Sequence, residues 1–205
     1  MWVGESWGRD VFTLLTLLAC HTEKIKLGTG IVPIYSRTPS LIAQSIASLD
    51  IASNGRAILG LGTSGKVVIE QWHGVKYDHP LQRTREYIKI IRMVLSGERL
   101  THQGRFFNLQ RFRMVFSPIQ ERIPLYVASL GPKNMELTGE VADGWLPIWV
   151  DLRHLPGMKQ QVIAGALRAG RNPSEITTAP GVIAIVTANA EERAEAKRLV
   201  TGHMA

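Results

Sequence analysis

Two hydrophobic rhythms alternate along the chain. Over 10–20, Val11, Phe12, Leu14, Leu15 and Leu18 recur at helical spacing, and over 24–31 apolar and polar residues alternate as in a strand. Thr38 followed by Pro39 is a favourable N-cap and first-turn pair, opening a helix with Leu41, Ile42, Ile46 and Leu49 on its inner face. Ser53, Asn54 and Gly55 tolerate positive φ and stop it, and 56–62 reads as the next strand. A third helix is predicted over 80–95, with Tyr87, Ile88, Ile91, Val94 and Leu95 inward. Residues 98–118 break the rhythm, and Thr101 to Gly104 with the alternation around them predicts a hairpin insertion. Strands are then expected over 124–129, 144–149 and 181–187, and helices over 132–141, 155–169 and 190–200. Strands alternating with helices imply parallel pairing and right-handed crossovers, hence an α/β fold: a doubly wound open sheet or a (β/α)8 barrel. Both place function at the C-terminal ends of the strands.

The stretch GLGTSG at 60–65 satisfies the dinucleotide fingerprint at a strand end. That reading also needs a helix opening inside the glycines and an acidic residue about 20 positions on, at the end of a second strand. Here His73 to Pro80 interrupts the path, and Glu86 falls inside a predicted helix. Small residues end three strands instead: Gly28-Thr29-Gly30, Gly62 to Gly65, and Ala128 to Gly131. Small residues let a flat ligand approach the backbone, and free amides hold anionic oxygens.

The 205 residues read as a single domain over 1–205. No stretch approaches the ~18 apolar residues of a membrane span, and the N-terminus does not read as a secretory signal. The single cysteine, Cys20, excludes an intrachain disulfide and a multi-cysteine metal site. Its apolar neighbours predict an inert buried thiol and a reducing, cytoplasmic setting. A net charge of +7 raises the question of nucleic acid, but Lys and Arg are scattered and alternate with no exposed aromatic stripe. No His, Asp or Glu cluster has metal-ligand spacing, so no metal is expected.

The stretch LGTGIVPIYSRTPSLIAQSIASLDIASNGRAILGLGTSG, followed by EQWHGVKYDHPLQRTREYIKIIRMVLSGE, resembles the luciferase-like monooxygenase superfamily. The pattern L-D-x-x-S-x-G-R-x-x-L-G-x-G, Leu49 to Gly62 here, marks the superfamily. GTSG…WHGV with RTREY is similar to its branch dependent on deazaflavin coenzyme F(420), and LYVAS and ADGW agree in order and spacing. The resemblance implies a (β/α)8 barrel with the hairpin insertion near 98–118, entered at the second strand, Trp2-Val3. It further implies that the first and last strand-helix units are missing, since a full barrel takes about 250 residues.

The same resemblance assigns roles. It implies a non-proline cis peptide at Gly30–Ile31, against which the cofactor ring lies. Gly62, Thr63, Ser64 and Gly65 match the segment bordering the ring and ribityl chain. Ala128, Ser129, Leu130, Gly131 and Pro132 match the loop reaching the cofactor tail and phosphate, with a helix from Pro132 aiming its amides there. Glu5 and Ser6 match a strand end beside the ring. Gly65 stands where sugar-phosphate dehydrogenase relatives carry a glutamate proton donor, so that activity is not expected. Trp7, Tyr35, Arg37 and Trp72 are substrate-pocket candidates, and His73 and Glu5 catalytic ones. The plainer readings are packing for Trp72, a helix ion pair for Arg37 and a solvated acid for Glu5. The expected activity is hydride transfer between the deazaflavin C5 and a small-molecule organic substrate in a homodimer. The alternatives are an FMN-dependent monooxygenase and a non-catalytic flavin-binding barrel.

Overall fold

Each helix start has a chemical cause. Asp10 accepts a hydrogen bond from Thr13 N (2.7 Å) and opens α1, Val11–Cys20. Thr38 Oγ1 accepts from Leu41 N (3.3 Å) and opens α2, Pro39–Ala52, while Asn54 and Gly55 end it at φ 53° and 75°. Pro80 and Pro132 open α3, Pro80–Leu95, and α4, Pro132–Val141. In the computed structural model, which describes residues 1–148, 150–181 and 185–204, these helices alternate with short parallel strands. The strands are β1 (Trp2–Val3), β2 (Leu27–Thr29), β3 (Val32–Pro33), β4 (Ala57–Gly62), β7 (Leu125–Val127), β8 (Gly144–Trp145) and β9 (Thr177–Thr178). Strands β5 (Leu100–Gln103) and β6 (Asn108–Phe112) form an antiparallel hairpin between α3 and β7. Helices α5 (Leu155–Arg168) and α6 (Ala190–Met204) follow, and two short turns, a π-helical one at Val68–Trp72 and a 3-10 one at Pro173–Glu175, complete the described elements.

Sheet order decides between the two architectures. It runs β1-β2-β4-β7-β8-β9, with β3 also on β4, every pair parallel and each new strand on the same side of the last. A doubly wound sheet reverses order at a switch point; this one never does. The sheet is therefore the curled half of a (β/α) barrel.

Asp50, Ser53 and Arg56, within the superfamily pattern, are structural fasteners. Buried Asp50 accepts from Ile119 N (2.8 Å), Gln120 N (2.8 Å) and Gln120 Nε2 (2.6 Å), holding the segment that returns from the hairpin. Arg56 donates to Ser53 O (2.5 Å), Ile25 O (2.8 Å), Thr22 O (2.7 Å) and Ala19 O (3.1 Å), tying the end of α1 to the start of β4.

Asp143 is a third fastener. It pairs with Arg92 and with Arg122 (2.8 Å) and accepts from Leu125 N (2.8 Å). Burial works to raise its carboxyl, but the Arg92 charge, the Arg122 hydrogen bond and the Leu125 amide outweigh it and hold it below the usual carboxylate range. With a lowered folded-state value, its contribution is complete above the unfolded pKa and is lost as pH falls through the folded one. Asp143→Asn is expected to lower stability by about 2–3 kcal/mol at neutral pH. In denaturant melts, its gap to wild type should narrow below about pH 4.

Four expectations change. Cys20 is exposed, because the inward stripe of α1 is Val11, Leu15 and Ala19, and the next residue turns about 100° away. Leu41 is 47% exposed for the same reason, beside the buried Ile42. The strand expected over 144–149 is Gly144–Trp145; Leu146 N still bonds Val127 O (3.0 Å), and position 149 lies outside the described residues. Of the strand expected over 181–187, 182–184 lie outside the described residues, and the strand after α5 is Thr177–Thr178.

Candidate functional site

The C-terminal ends of the strands meet at one cleft of about 740 Å³. Gly4, Glu5 and Ser6 follow β1, Gly30 and Ile31 follow β2, and Gly62 to Gly65 leave β4. Ala128 to Gly131 leave β7, and Leu146 and Ile148 leave β8. Because all these strands are parallel, their outgoing loops share one end of the sheet, and the cleft follows from the topology.

Local chemistry shapes each wall. The Gly30–Ile31 peptide is cis. Thr29, buried in β2, donates its hydroxyl to Gly60 O (2.7 Å) and accepts from Gly60 N (2.8 Å). A side chain on Gly60 would drive into Thr29 O, so the first glycine of GLGTSG is required by strand packing. No helix opens within 60–65, and Ser64 takes φ 57° as the chain turns across the cleft. On the β7 side, Trp145 Nε1 donates to Ser129 O (2.8 Å), and the Ser129 hydroxyl meets Thr138 Oγ1 (2.8 Å), locking the loop onto α4.

The cleft-lining residues include every cofactor-side candidate except Pro132, which begins α4 immediately after Gly131. Trp7, Tyr35, Arg37, Trp72 and His73 are not among them. Trp7 and Trp72 are 68% and 63% exposed. Arg37 stands behind Glu5, pairing with it (2.5 Å) and with Asp10 at the head of α1. His73 closes a π-helical turn, Val68–Trp72, and its Nε2 is shut off from solvent with no hydrogen-bond partner. Tyr35 donates its O–H to Asp78 O (2.7 Å); burial pushes its phenol up to about 12, so it stays protonated at neutral pH.

Sequence reasoning missed Tyr77, Pro80, Leu81 and Asn134, which also line the cleft. Tyr77 stacks on Tyr35 at 5.2 Å between ring centroids. The Arg83 guanidinium lies over Tyr35 (5.0 Å) and over Phe106 of the hairpin (4.6 Å), and pairs with Asp78 (2.9 Å). Glu86 accepts from Phe106 N (3.2 Å) and Phe107 N (2.9 Å), so the hairpin is fastened to the element carrying this wall. A polar residue in the first turn after Pro132 was the available signal for Asn134, whose Oδ1 is shut off from solvent without a hydrogen-bond partner.

A family model for luciferase-like monooxygenases matches residues 1–204. The 5,10-methylenetetrahydromethanopterin reductase of Methanolobus tindarius is 38% identical over 180 residues, covering 87% of this chain and 54% of that protein. That of Archaeoglobus fulgidus is 32% identical over 200 residues, covering 97% and 59%. The chain therefore spans between half and three-fifths of the length of these relatives. The solved coenzyme F(420)-dependent tetrahydromethanopterin reductase of Methanopyrus kandleri superposes with a TM-score of 0.89 at 27% identity, over 99% of this chain and 63% of that one. Among the described residues, no helix is long and apolar enough to cross a membrane.

Proposed function

The chain belongs to the luciferase-like monooxygenase family, and from that premise we propose that it is an oxidoreductase that uses deazaflavin coenzyme F(420) to transfer hydride to or from a small organic substrate. The observation that carries this reading is the cleft itself: several strand ends, built largely of small residues, present backbone to one space. The residues fit a flat heteroaromatic group with a polar tail. At Gly62 a Cβ would meet Ile31 Cδ1 at 2.8 Å, so a side chain there would push the Ile31 side chain out of its place in that wall. Asn134 Oδ1 is an acceptor still lacking a donor, as a hydroxylated tail would supply.

When bound, the deazaflavin supplies a carbon that gives or takes hydride. The protein's part is to bind, orient and exclude water. Gly30, Ile31 and Gly62 to Gly65 would hold the ring through their backbone. The first amides of α4, with Ser129 and Asn134 beside them, would hold the tail and its phosphate. Tyr77, braced by Tyr35, would form the substrate-side wall. Similarity to the reductase relatives supports the coenzyme.

The test is an anaerobic assay of the purified chain with reduced deazaflavin and a panel of carbonyl and methylene-pterin acceptors, following the absorbance of the oxidised coenzyme. Acceptor-dependent oxidation is expected. Oxygen uptake dependent on reduced FMN, with no deazaflavin oxidation, would overturn the reading.

A further inference from the structure

Glu5 is the one carboxylate among the described residues that line the cleft, and its side chain is 9% exposed. Three donors already converge on its two oxygens. Arg37 Nη1 reaches Oε1 at 2.5 Å, while Arg37 Nη2 and Val11 N reach Oε2, each at 3.0 Å. A carboxylate offers about four acceptor positions, so one remains, on Oε1. Arg37 is itself fixed from several sides. It pairs with Asp10, it lies 5.4 Å from the centroid of the Phe12 ring, and its carbonyl accepts the Tyr87 hydroxyl (2.8 Å). Burial works against the Arg37 charge, yet the Glu5 and Asp10 carboxylates more than offset it and hold its pKa above the ordinary guanidinium value. Asp10 is meanwhile engaged by Thr13 N at the head of α1.

One guanidinium between two carboxylates leaves a net single negative charge, and of the three side chains only Glu5 borders the cleft. Building on the coenzyme-binding reading above, we propose that Arg37 is a positioning residue, which fixes the Glu5 carboxylate as a hydrogen-bond acceptor facing an N–H, an O–H or a cationic group of the bound ligand. The fork geometry matters as well as the charge. A lysine cannot hold both oxygens of Glu5 and reach Asp10 as well. Glu5 then recognises and polarises the ligand from a fixed orientation, while Arg37 never touches it.

The test is a double-mutant cycle on the full chain with Glu5→Gln, Arg37→Met and the pair, with Arg37→Lys as the variant that retains charge. Coenzyme F(420) and FMN are titrated in parallel, and the absorption band of the bound ligand is recorded. Each single change is expected to weaken binding about 10- to 100-fold and to shift the band alike. The double variant should be little worse than Glu5→Gln alone, and Arg37→Lys should restore only part of the loss. Multiplying effects, or a band unmoved by Arg37→Met, would overturn the proposal while leaving the coenzyme reading in place. Wild type binding neither ligand would instead overturn the coenzyme reading. Denaturant melts of the four ligand-free proteins would then judge the clamp: non-additive losses support it, and additive losses overturn it.

Discussion

A Gly65→Phe variant is expected to lose coenzyme binding by at least about 100-fold, roughly 3 kcal/mol, while melting like wild type. Gly65 lines the cleft, and a Cβ built there meets nothing within 4 Å. Its backbone is not at positive φ, so a side chain is tolerated. The new ring therefore grows into the ligand space without disturbing the sheet. Titration beside a thermal melt checks this, and undiminished binding would show that the coenzyme lies elsewhere.

Gly60→Ala is expected to do the opposite and damage the fold itself. Its methyl group would collide with the Thr29 carbonyl, which belongs to the neighbouring backbone and cannot rotate away. The reciprocal Thr29–Gly60 hydrogen bonds, 2.7 and 2.8 Å, would be strained together with the β2–β4 pairing. A loss of about 3 kcal/mol or more is expected, read as a lower denaturant midpoint or as failure to recover folded protein. Two glycines of one motif thus separate: Gly60 serves the sheet, and Gly65 leaves room for the ligand.

That separation marks how far the sequence could be read. Helix starts were legible because Thr38-Pro39, Pro80 and Pro132 act locally, and α3 and α4 have the expected bounds. Strands β3 and β9 have two residues each, too few for a period to appear, and tertiary pairing alone defines them. The hairpin was legible from alternation, but its fastening was not. Glu86 looked like one more polar residue on α3, and only the fold brings it to Phe106 and Phe107. The strand-end glycines pointed to a ligand face from residue chemistry, whereas the individual cofactor positions came from the family resemblance. Arg37 was legible as a charge that could pair with a nearby helix, and not as a clamp on Glu5, which lies 32 residues away.

The measurement that tests the account most directly is a fluorescence titration of the purified chain with coenzyme F(420) and FMN in parallel. Micromolar binding of the deazaflavin with far weaker binding of FMN is the predicted result. A preference for FMN, or no binding of the deazaflavin at all, would contradict it.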